Sequence, residues 1–146
     1  MPLAAQAPST ADRDVVAAVQ QIFDAMARCD AAGVRARTLP DGRLFRLTPG
    51  SGQPPTSTTL AAFAAQFDTC PRKLLERMWA PQVRVHKGIA SVWAPYDFWA
   101  DGAFSHCGID SFDLADTADG WKLAGGIYTV ERDGCGASPL GAPTFK

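Results

Sequence analysis

The stretch that decides the fold covers residues 83–132 and reads VRVHKGIASVWAPYDFWADGAFSHCGIDSFDLADTADGWKLAGGIYTVER. Turn signals divide it into four runs: Lys-Gly at 87–88, Asp-Gly at 101–102 and a looser turn at 116–120. An Asp-Gly pair between two apolar runs favours a hairpin, because the type I′ turn needs a positive φ that both residues tolerate. The stretch therefore predicts an antiparallel meander of four strands.

Apolar residues at helical spacing precede this meander. The first such stripe predicts a helix over residues 12–29, with Thr10 or Asp12 as the N-cap. A short second helix is predicted over residues 31–37, and a third over residues 60–70, where Pro71 ends it.

The segments between these helices carry weaker signals. Residues 43–48 alternate between polar and apolar side chains like a short strand, and residues 49–57 are rich in Pro, Gly, Ser and Thr, which predicts a loop. The periodicity of residues 72–80 allows either a short helix or an irregular edge strand.

A chain of 146 residues is long enough for one domain with a real core. We expect that domain over residues 12–132, with a flexible arm over residues 1–11 and an irregular tail over residues 133–146, where Gly and Pro are frequent. Helices come first and strands follow rather than alternating with them, so the predicted class is α+β.

The charge pattern and the length of the apolar runs argue against two kinds of partner. The 14 basic and 15 acidic residues give a net charge of -1 and do not segregate, so no nucleic-acid partner is expected. The longest apolar runs fall far below the ~18–20 residues of a membrane span, so no membrane partner is expected.

The N-terminus lacks the features of a signal peptide, which favours a cytoplasmic protein. The alternative is an exported protein whose signal peptide has been removed.

The four cysteines, Cys29, Cys70, Cys107 and Cys135, form no CxxC pair. Only His106 lies close to one of them, and neighbours in a strand point to opposite faces, so no metal site is predicted. The same geometry leaves Cys107 without a base on its own face and argues against a nucleophilic cysteine. Four cysteines do not predict a disulfide scaffold, although one bridge remains open.

The C-terminal half also resembles a known family. The residues that carry the resemblance are Val92-Trp93-Ala94, Tyr96-Asp97-Phe98, Asp101-Gly102, Phe104-Ser105-His106-Cys107-Gly108, Asp110, Gly120-Trp121-Lys122 and Gly134-Cys135. They resemble the lumazine-binding branch of the nuclear transport factor 2-like (SnoaL-like) superfamily. The resemblance implies a cone-shaped fold in which N-terminal helices pack on a curved antiparallel sheet. It also implies a homodimer, and a pocket between the helices and the concave face of the sheet.

The Asp-Gly turn predicts which side chains share a face. With a two-residue loop, Trp99 lies opposite Phe104, Asp97 opposite His106 and Trp93 opposite Asp110, and cross-strand partners point to the same side. The predicted pocket face carries Trp93, Asp97, Trp99, Phe104, His106, Asp110 and Phe112. Tyr96, Tyr128 and Cys107 are predicted on the opposite face.

Two acids and one histidine on the predicted pocket face could carry chemistry. Asp110 in largely apolar surroundings could have a raised pKa and act as a general base, or it could orient a ligand or serve the structure. Asp97 opposite His106 could support acid/base catalysis by the histidine, or the two could form an ordinary cross-strand salt bridge. The predicted catalytic residues are therefore Asp110 and His106.

The favoured function is binding of a small apolar or aromatic molecule, without cofactor or metal. The predicted ligand-binding residues are Trp93, Asp97, Trp99, His106, Asp110 and Phe112. One alternative is a cofactor-free isomerase, cyclase or dehydratase that uses Asp110 or His106 as base. Another is a dimeric interaction domain with a vestigial pocket. The superfamily includes enzymes and non-catalytic binders, so the fold does not decide between these functions.

Overall fold

The structure is a computed structural model that describes residues 1–145 of the chain. Its helices are α1 (Thr10–Ala27), α2 (Ala31–Ala36), α3 (Leu60–Ala65) and the 3-10 helix Gln66–Asp68. Its strands are β1 (Thr38–Leu47), β2 (Thr56–Thr59), β3 (Leu74–Met78), β4 (Gln82–His86), β5 (Ile89–Ala100), β6 (Ala103–Thr117) and β7 (Gly120–Thr129).

All seven strands belong to one sheet in the order β2-β1-β7-β6-β5-β3, and β4 pairs with β5 beyond the end of β3. The predicted meander is confirmed as β4 to β7, which pair antiparallel in sequence. The prediction that the whole sheet is antiparallel is wrong, because β1 runs parallel to β7. The long chain between these two strands allows this, since parallel neighbours need a crossover rather than a hairpin.

Helix α1 begins earlier than its apolar stripe suggested. Ser9 is the N-cap: its hydroxyl accepts from the Asp12 N–H, and the Asp12 carboxylate accepts from the Ser9 N–H. This reciprocal capping box satisfies two otherwise free donors of the first turn. The predicted cap, Thr10 or Asp12, is therefore corrected to Ser9.

Two strand assignments differ from the sequence prediction, and the structure decides a third that the sequence left open. Strand β1 begins at Thr38, before the strand predicted over residues 43–48, and its register against β7 shifts between Thr38 and Arg43. Strand β2 lies at the end of the predicted loop and pairs with β1. The ambiguous segment over residues 72–80 contains a strand, β3, which pairs with β5.

The core lies between the helices and one face of the sheet, here called the inner face. The buried side of α1 faces the sheet, and the rings of Phe23 and Phe112 meet edge to face with centroids 6.5 Å apart. Other buried core residues include Val15, Val19, Ile22, Met26, Leu60, Val92, Ala94, Leu114 and Leu123. Burial of each large apolar side chain contributes about 1.5–3 kcal/mol, so this layer fixes the helices on the sheet.

The structure contains two disulfides, whereas the sequence analysis allowed for one bridge. Cys29–Cys70 joins the end of α1 to the end of the 3-10 helix, with Cα atoms 5.7 Å apart. Cys107–Cys135 joins β6 to the C-terminal tail, with Cα atoms 5.9 Å apart.

Within residues 1–145, no group of three or more His, Cys, Asp or Glu side chains is placed to hold a metal ion. No helix of the described chain has the length and apolar character needed to cross a membrane.

Candidate functional site

A bulge beside the Asp-Gly turn decides which side chains face the cavity. Trp99 pairs with Phe104 as predicted, but Phe98 pairs with His106, so Ser105 is an extra residue on β6. An extra residue in one strand reverses the face of everything beyond it. Asp97 therefore lies opposite Cys107 rather than His106, and the predicted pairing is wrong.

The same shift separates the predicted site residues. Asp110 pairs with Ala94 and Trp93 pairs with Ser111, so the expected pairing of Trp93 with Asp110 is also wrong. Of the six predicted ligand-binding residues, the inner face brings together His106, Asp110 and Phe112. The other three, Trp93, Asp97 and Trp99, lie on the outer face. Two tyrosines predicted outside, Tyr96 and Tyr128, lie on the inner face.

A cavity of about 530 Å³ lies between the helices and the inner face. Its base is apolar and is formed by the buried side chains Met26, Leu44, Phe67 and Phe112. Its rim is polar and exposed, and includes Arg46, Gln66, Thr69, Arg72 and Arg132. An apolar interior with a few polar groups is the usual form of a small-molecule site.

Two carboxylic acids meet inside this cavity. Asp110 on β6 is 1% exposed, and no N–H or alcohol O–H group of residues 1–145 donates to its Oδ2 atom. Its pKa is raised well above the ordinary value by burial, and further by the charge of Glu76 and a hydrogen bond between the two carboxyl groups. Burial likewise raises the pKa of Glu76, to about 7, although the same hydrogen bond lowers it in part. Two neighbouring buried carboxyl groups do not readily both ionise, so the pair favours a state in which it shares a proton.

Tyr96 and Tyr128 flank the acid pair but differ in their hydrogen bonds. The Tyr96 hydroxyl donates to the backbone carbonyl of Thr129 and is thereby engaged in holding β7. The Tyr128 hydroxyl makes no hydrogen bond to the described residues. Burial raises the pKa of Tyr128 above its ordinary value, so its hydroxyl stays protonated and can donate to a ligand.

Gly108 makes this arrangement of β6 and β7 possible. A Cβ at this position would lie 2.3 Å from the carbonyl oxygen of Thr129, which is closer than real Cβ atoms come to other atoms. The missing side chain lets β7 approach β6, so that the Tyr96 hydroxyl and the Ile109 N–H both reach Thr129.

His106 lies on the inner face in a neutral state. Burial lowers the pKa of His106 to about 4, and the positive charges of Arg132 and Arg46 add to this effect. The ring stacks on Phe98 with centroids 4.7 Å apart, and its Nδ1 atom lies 2.9 Å from the Ser105 hydroxyl. An uncharged imidazole at pH 7 can exchange hydrogen bonds with a ligand but is a weak base.

Asp97 has a structural partner on the outer face. Its two carboxylate oxygens accept hydrogen bonds from Arg77 at 2.9 and 2.6 Å, and both side chains are largely buried. Of the two roles proposed for Asp97, the structure therefore supports a salt bridge, but with Arg77 rather than His106. Trp99 packs against Phe104 beside this pair.

The sequence reasoning missed Glu76 and Arg46. Glu76 lies in the segment whose structure the periodicity left open, so its direction could not be assigned. The available signal was the alternation of Leu74, Glu76 and Met78, which places one acid on the apolar face of a strand. For Arg46, the strand pattern of β1 was recognised, but its parallel pairing with β7 was not.

Solved structures with the same fold support the architecture. A nuclear transport factor 2-like superfamily protein from Salmonella enterica serovar Typhimurium superposes with a TM-score of 0.67 at 16% identity, covering 90% of this chain and 99% of that chain. A Streptomyces avermitilis protein, provisionally named as a dehydratase of the same fold family, gives 0.62 at 18% identity, covering 84% and 99%. A Xanthomonas campestris protein, provisionally named as a calcium/calmodulin-dependent protein kinase II association domain, gives 0.65 at 18% identity, covering 89% and 94%.

These likenesses establish the fold of the chain and nothing finer. The predicted α+β fold of the nuclear transport factor 2-like type is confirmed. No family model and no curated protein sequence matches the chain. The three structures differ in what their names suggest, so the function has to be argued from the site itself.

Proposed function

We propose that the protein binds a small, largely apolar or aromatic molecule in the cavity on the inner face. The observation that carries this proposal is the cavity itself, about 530 Å³ in volume with an apolar base. Cavities of roughly 300–1,000 Å³ with a few placed polar groups are typical of small-molecule sites. An interaction domain with a vestigial pocket would be expected to fill this space with side chains.

The polar groups of the cavity can orient such a ligand. The acid pair Glu76–Asp110 holds a proton and can donate or accept a hydrogen bond, and Tyr128 and His106 provide two further neutral groups. A buried polar atom without a partner favours a ligand that supplies one. The Oδ2 atom of Asp110, to which no N–H or alcohol O–H group of residues 1–145 donates, thus favours a ligand with at least one donor on its apolar body.

Probe binding tests this proposal. The uncharged dye N-phenyl-1-naphthylamine should bind saturably at one molecule per chain, measured by its fluorescence. Leu74 lines the cavity, so Leu74→Trp should fill part of the space and weaken binding at least tenfold. Leu140→Trp, at an exposed position of the tail, is the matched control. Absence of saturable binding to the wild-type protein would remove the proposal.

A second candidate function, a cofactor-free isomerase, cyclase or dehydratase, is favoured by the acid pair alone. Proton transfer beside a carbonyl requires an acid or base whose pKa lies near the working pH, and Glu76 at about 7 meets that requirement. The two catalytic residues predicted from the sequence, Asp110 and His106, are then no longer equal candidates. Asp110 acts with Glu76 as one unit, and His106 is the weaker base.

Asp110→Asn tests the enzyme proposal. The amide keeps the shape of the side chain but cannot carry a proton between a substrate and Glu76. Any turnover found with a candidate substrate should therefore be lost, while the fold, checked by circular dichroism, stays intact. Under the binding function the same change should alter affinity by no more than about 1.5–3 kcal/mol, the worth of one hydrogen bond to a charged group. Turnover that survives in the variant would shift the assignment to His106.

Three further expectations remain part of this proposal. We place the chain in the SnoaL-like, lumazine-binding branch on the residues given above, without taking lumazine as the ligand. We propose a homodimer through the outer face of the sheet. The two disulfides favour the exported alternative over a cytoplasmic protein, because disulfides persist mainly in oxidising compartments.

A further inference from the structure

Two arginines at the cavity rim differ from their neighbours in lacking a carboxylate partner. Four other arginines form ion pairs with aspartates: Arg28 with Asp30, Arg35 with Asp68, Arg72 with Asp101, and Arg77 with Asp97. Arg46 and Arg132 also line the cavity, yet no carboxylate oxygen of residues 1–145 lies within salt-bridge distance of either. Their charges are therefore available to a ligand.

The register brings both arginines to the same part of the inner face. Arg46 on β1 lies beside Tyr128 on β7, which in turn lies beside Asp110 on β6. Arg132 follows the bridge between Cys107 and Glu131, and so continues the line of β7 alongside His106. These two positions lie four residues apart along the line of β7, roughly 13 Å at the rise of a strand. Both side chains line the cavity, and both positive charges act on His106.

The acids inside the cavity do not neutralise these arginines. The two carboxyl groups of Glu76 and Asp110 are neighbours in a buried site and favour sharing a proton, so the pair then carries at most one negative charge against two positive ones. The third arginine at the rim, Arg72, is already paired with Asp101. The cavity therefore has a net positive rim above an apolar base, and charges over a low-dielectric site attract anions strongly.

We propose that the ligand of this cavity carries an anionic group, a carboxylate or sulfonate, that is bound between Arg46 and Arg132. The inference rests on the proposed binding function and narrows it to an amphiphile: an apolar or aromatic body lies against the base, and the anion lies at the rim. Guanidinium groups suit this role because their planar donors match the geometry of such oxyanions.

His106 supplies a further contact at the same position. When the Ser105 hydroxyl donates to Nδ1, the neutral ring carries its proton on Nε2 and can donate to the anion. The ring stacks on Phe98, so its orientation is fixed before a ligand arrives. The rim thus offers two charged donors and one neutral donor.

Two dyes with the same ring skeleton test the inference. 8-Anilinonaphthalene-1-sulfonate carries a sulfonate that N-phenyl-1-naphthylamine lacks. A difference between their dissociation constants therefore measures the contribution of the anionic group. We expect the wild-type protein to bind the sulfonate about tenfold more tightly. Arg46→Gln and Arg132→Gln should each remove most of that preference and leave the affinity for the neutral dye within about twofold.

Controls separate this inference from the function on which it rests. Arg84→Gln, on the exposed edge strand β4, should leave both affinities unchanged, whereas Leu74→Trp should weaken both dyes. Equal affinity of the wild-type protein for the two dyes would overturn the anion inference and leave the binding function standing. Sulfonate binding that survives Leu74→Trp would also overturn it, because the dye would lie outside the cavity. Failure of both dyes to bind would overturn both proposals.

Discussion

Two buried aspartates lie on opposite faces of one sheet, and their carboxyl groups have different partners. Asp97, 3% exposed on the outer face, is held by two hydrogen bonds from Arg77. Asp110, 1% exposed on the inner face, has another acid as its neighbour instead of a cation. A charge buried for structure is paired, whereas strongly perturbed acids in a cleft are typical of functional sites. The comparison supports a structural role for Asp97 and agrees with the proposed role of Asp110 in the cavity.

The two faces also differ in what covers their apolar side chains. On the inner face, the helices cover the sheet and leave the cavity. On the outer face, one cross-strand row joins Phe45, Ile127, Ser111 and Trp93 in register. Phe45 and Ile127 are each 42% exposed and Trp93 is 53% exposed. Exposed apolar patches are common at interaction surfaces, and the proposed homodimer rests on this row.

The largest expected effect comes from breaking the ion pair of the outer face. Arg77→Ala leaves the Asp97 carboxylate buried without its partner, and also removes a 2.8 Å hydrogen bond to the Gly141 carbonyl in the tail. Loss of one partner of a buried pair costs about 3–5 kcal/mol, so the melting temperature should fall by roughly 10 °C.

Arg43→Ala is the matched control for Arg77→Ala. Arg43 is exposed on β1, and exposed substitutions usually change the free energy of unfolding by less than about 0.5 kcal/mol. If both variants melt at the same temperature, the outer-face pair contributes nothing to stability and the contrast between the two aspartates loses its basis.

The second expected effect is a pH dependence of the free energy of unfolding that arises from the acids of the inner face. Folding raises the pKa of Glu76 from 4.5 to about 7, so the folded state binds this proton more tightly than the unfolded state does. The resulting stability is fully present below about pH 4.5 and is lost as pH rises through 7. At ~1.4 kcal/mol per pH unit, the pKa change corresponds to about 3 kcal/mol.

Glu76→Gln should remove this pH dependence. We expect the free energy of unfolding of the wild-type protein to fall by about 3 kcal/mol more than that of the variant between pH 4 and pH 8, measured by urea denaturation. Glu131→Gln is the control, because Glu131 is the other glutamate of the chain and its carboxylate accepts a hydrogen bond from the Thr129 hydroxyl, away from the acid pair. Parallel curves for the wild-type protein and Glu76→Gln would show that the inner acids titrate like ordinary ones.

Much of the fold was predictable because its signals are local. The turns at 87–88 and 101–102 and the alternation between them are set by neighbouring residues, and they defined the strands of the meander correctly. The parallel pairing of β1 with β7 was not predictable from such signals, since it depends on contacts between residues about 80 positions apart in the chain. The same holds for the two disulfides, whose pairing follows from the folded chain.

The site was less predictable, because one residue decided it. Ser105 has no property that marks it as a bulge, yet its extra position on β6 places His106 and Asp110 on the face opposite Trp93 and Asp97. His106 and Asp110 stay on one face because they lie four residues apart on β6 and the pairing with β5 is regular between them. The acid partner Glu76 required the pairing of β3 with β5, a further non-local contact.

The smallest of the three effects tests whether a second copy of the chain covers the outer face. We expect the wild-type protein to be a homodimer at micromolar concentration, with Trp93 near the centre of the interface. Buried tryptophans are frequent hot spots that contribute about 2 kcal/mol or more, so Trp93→Glu should weaken the dimer at least ~30-fold. Sedimentation velocity over a concentration series measures this change.

The same variant also tests whether the two faces are independent. Trp93 lies across the sheet from the cavity, so Trp93→Glu should leave the affinity for N-phenyl-1-naphthylamine unchanged while the dimer dissociates. Lys87→Glu, in the exposed turn between β4 and β5, controls for the added negative charge. A wild-type protein that is monomeric at these concentrations would remove the dimer. Loss of dye binding together with the dimer would show instead that the cavity depends on the partner copy, and that the inner and outer faces act as one site.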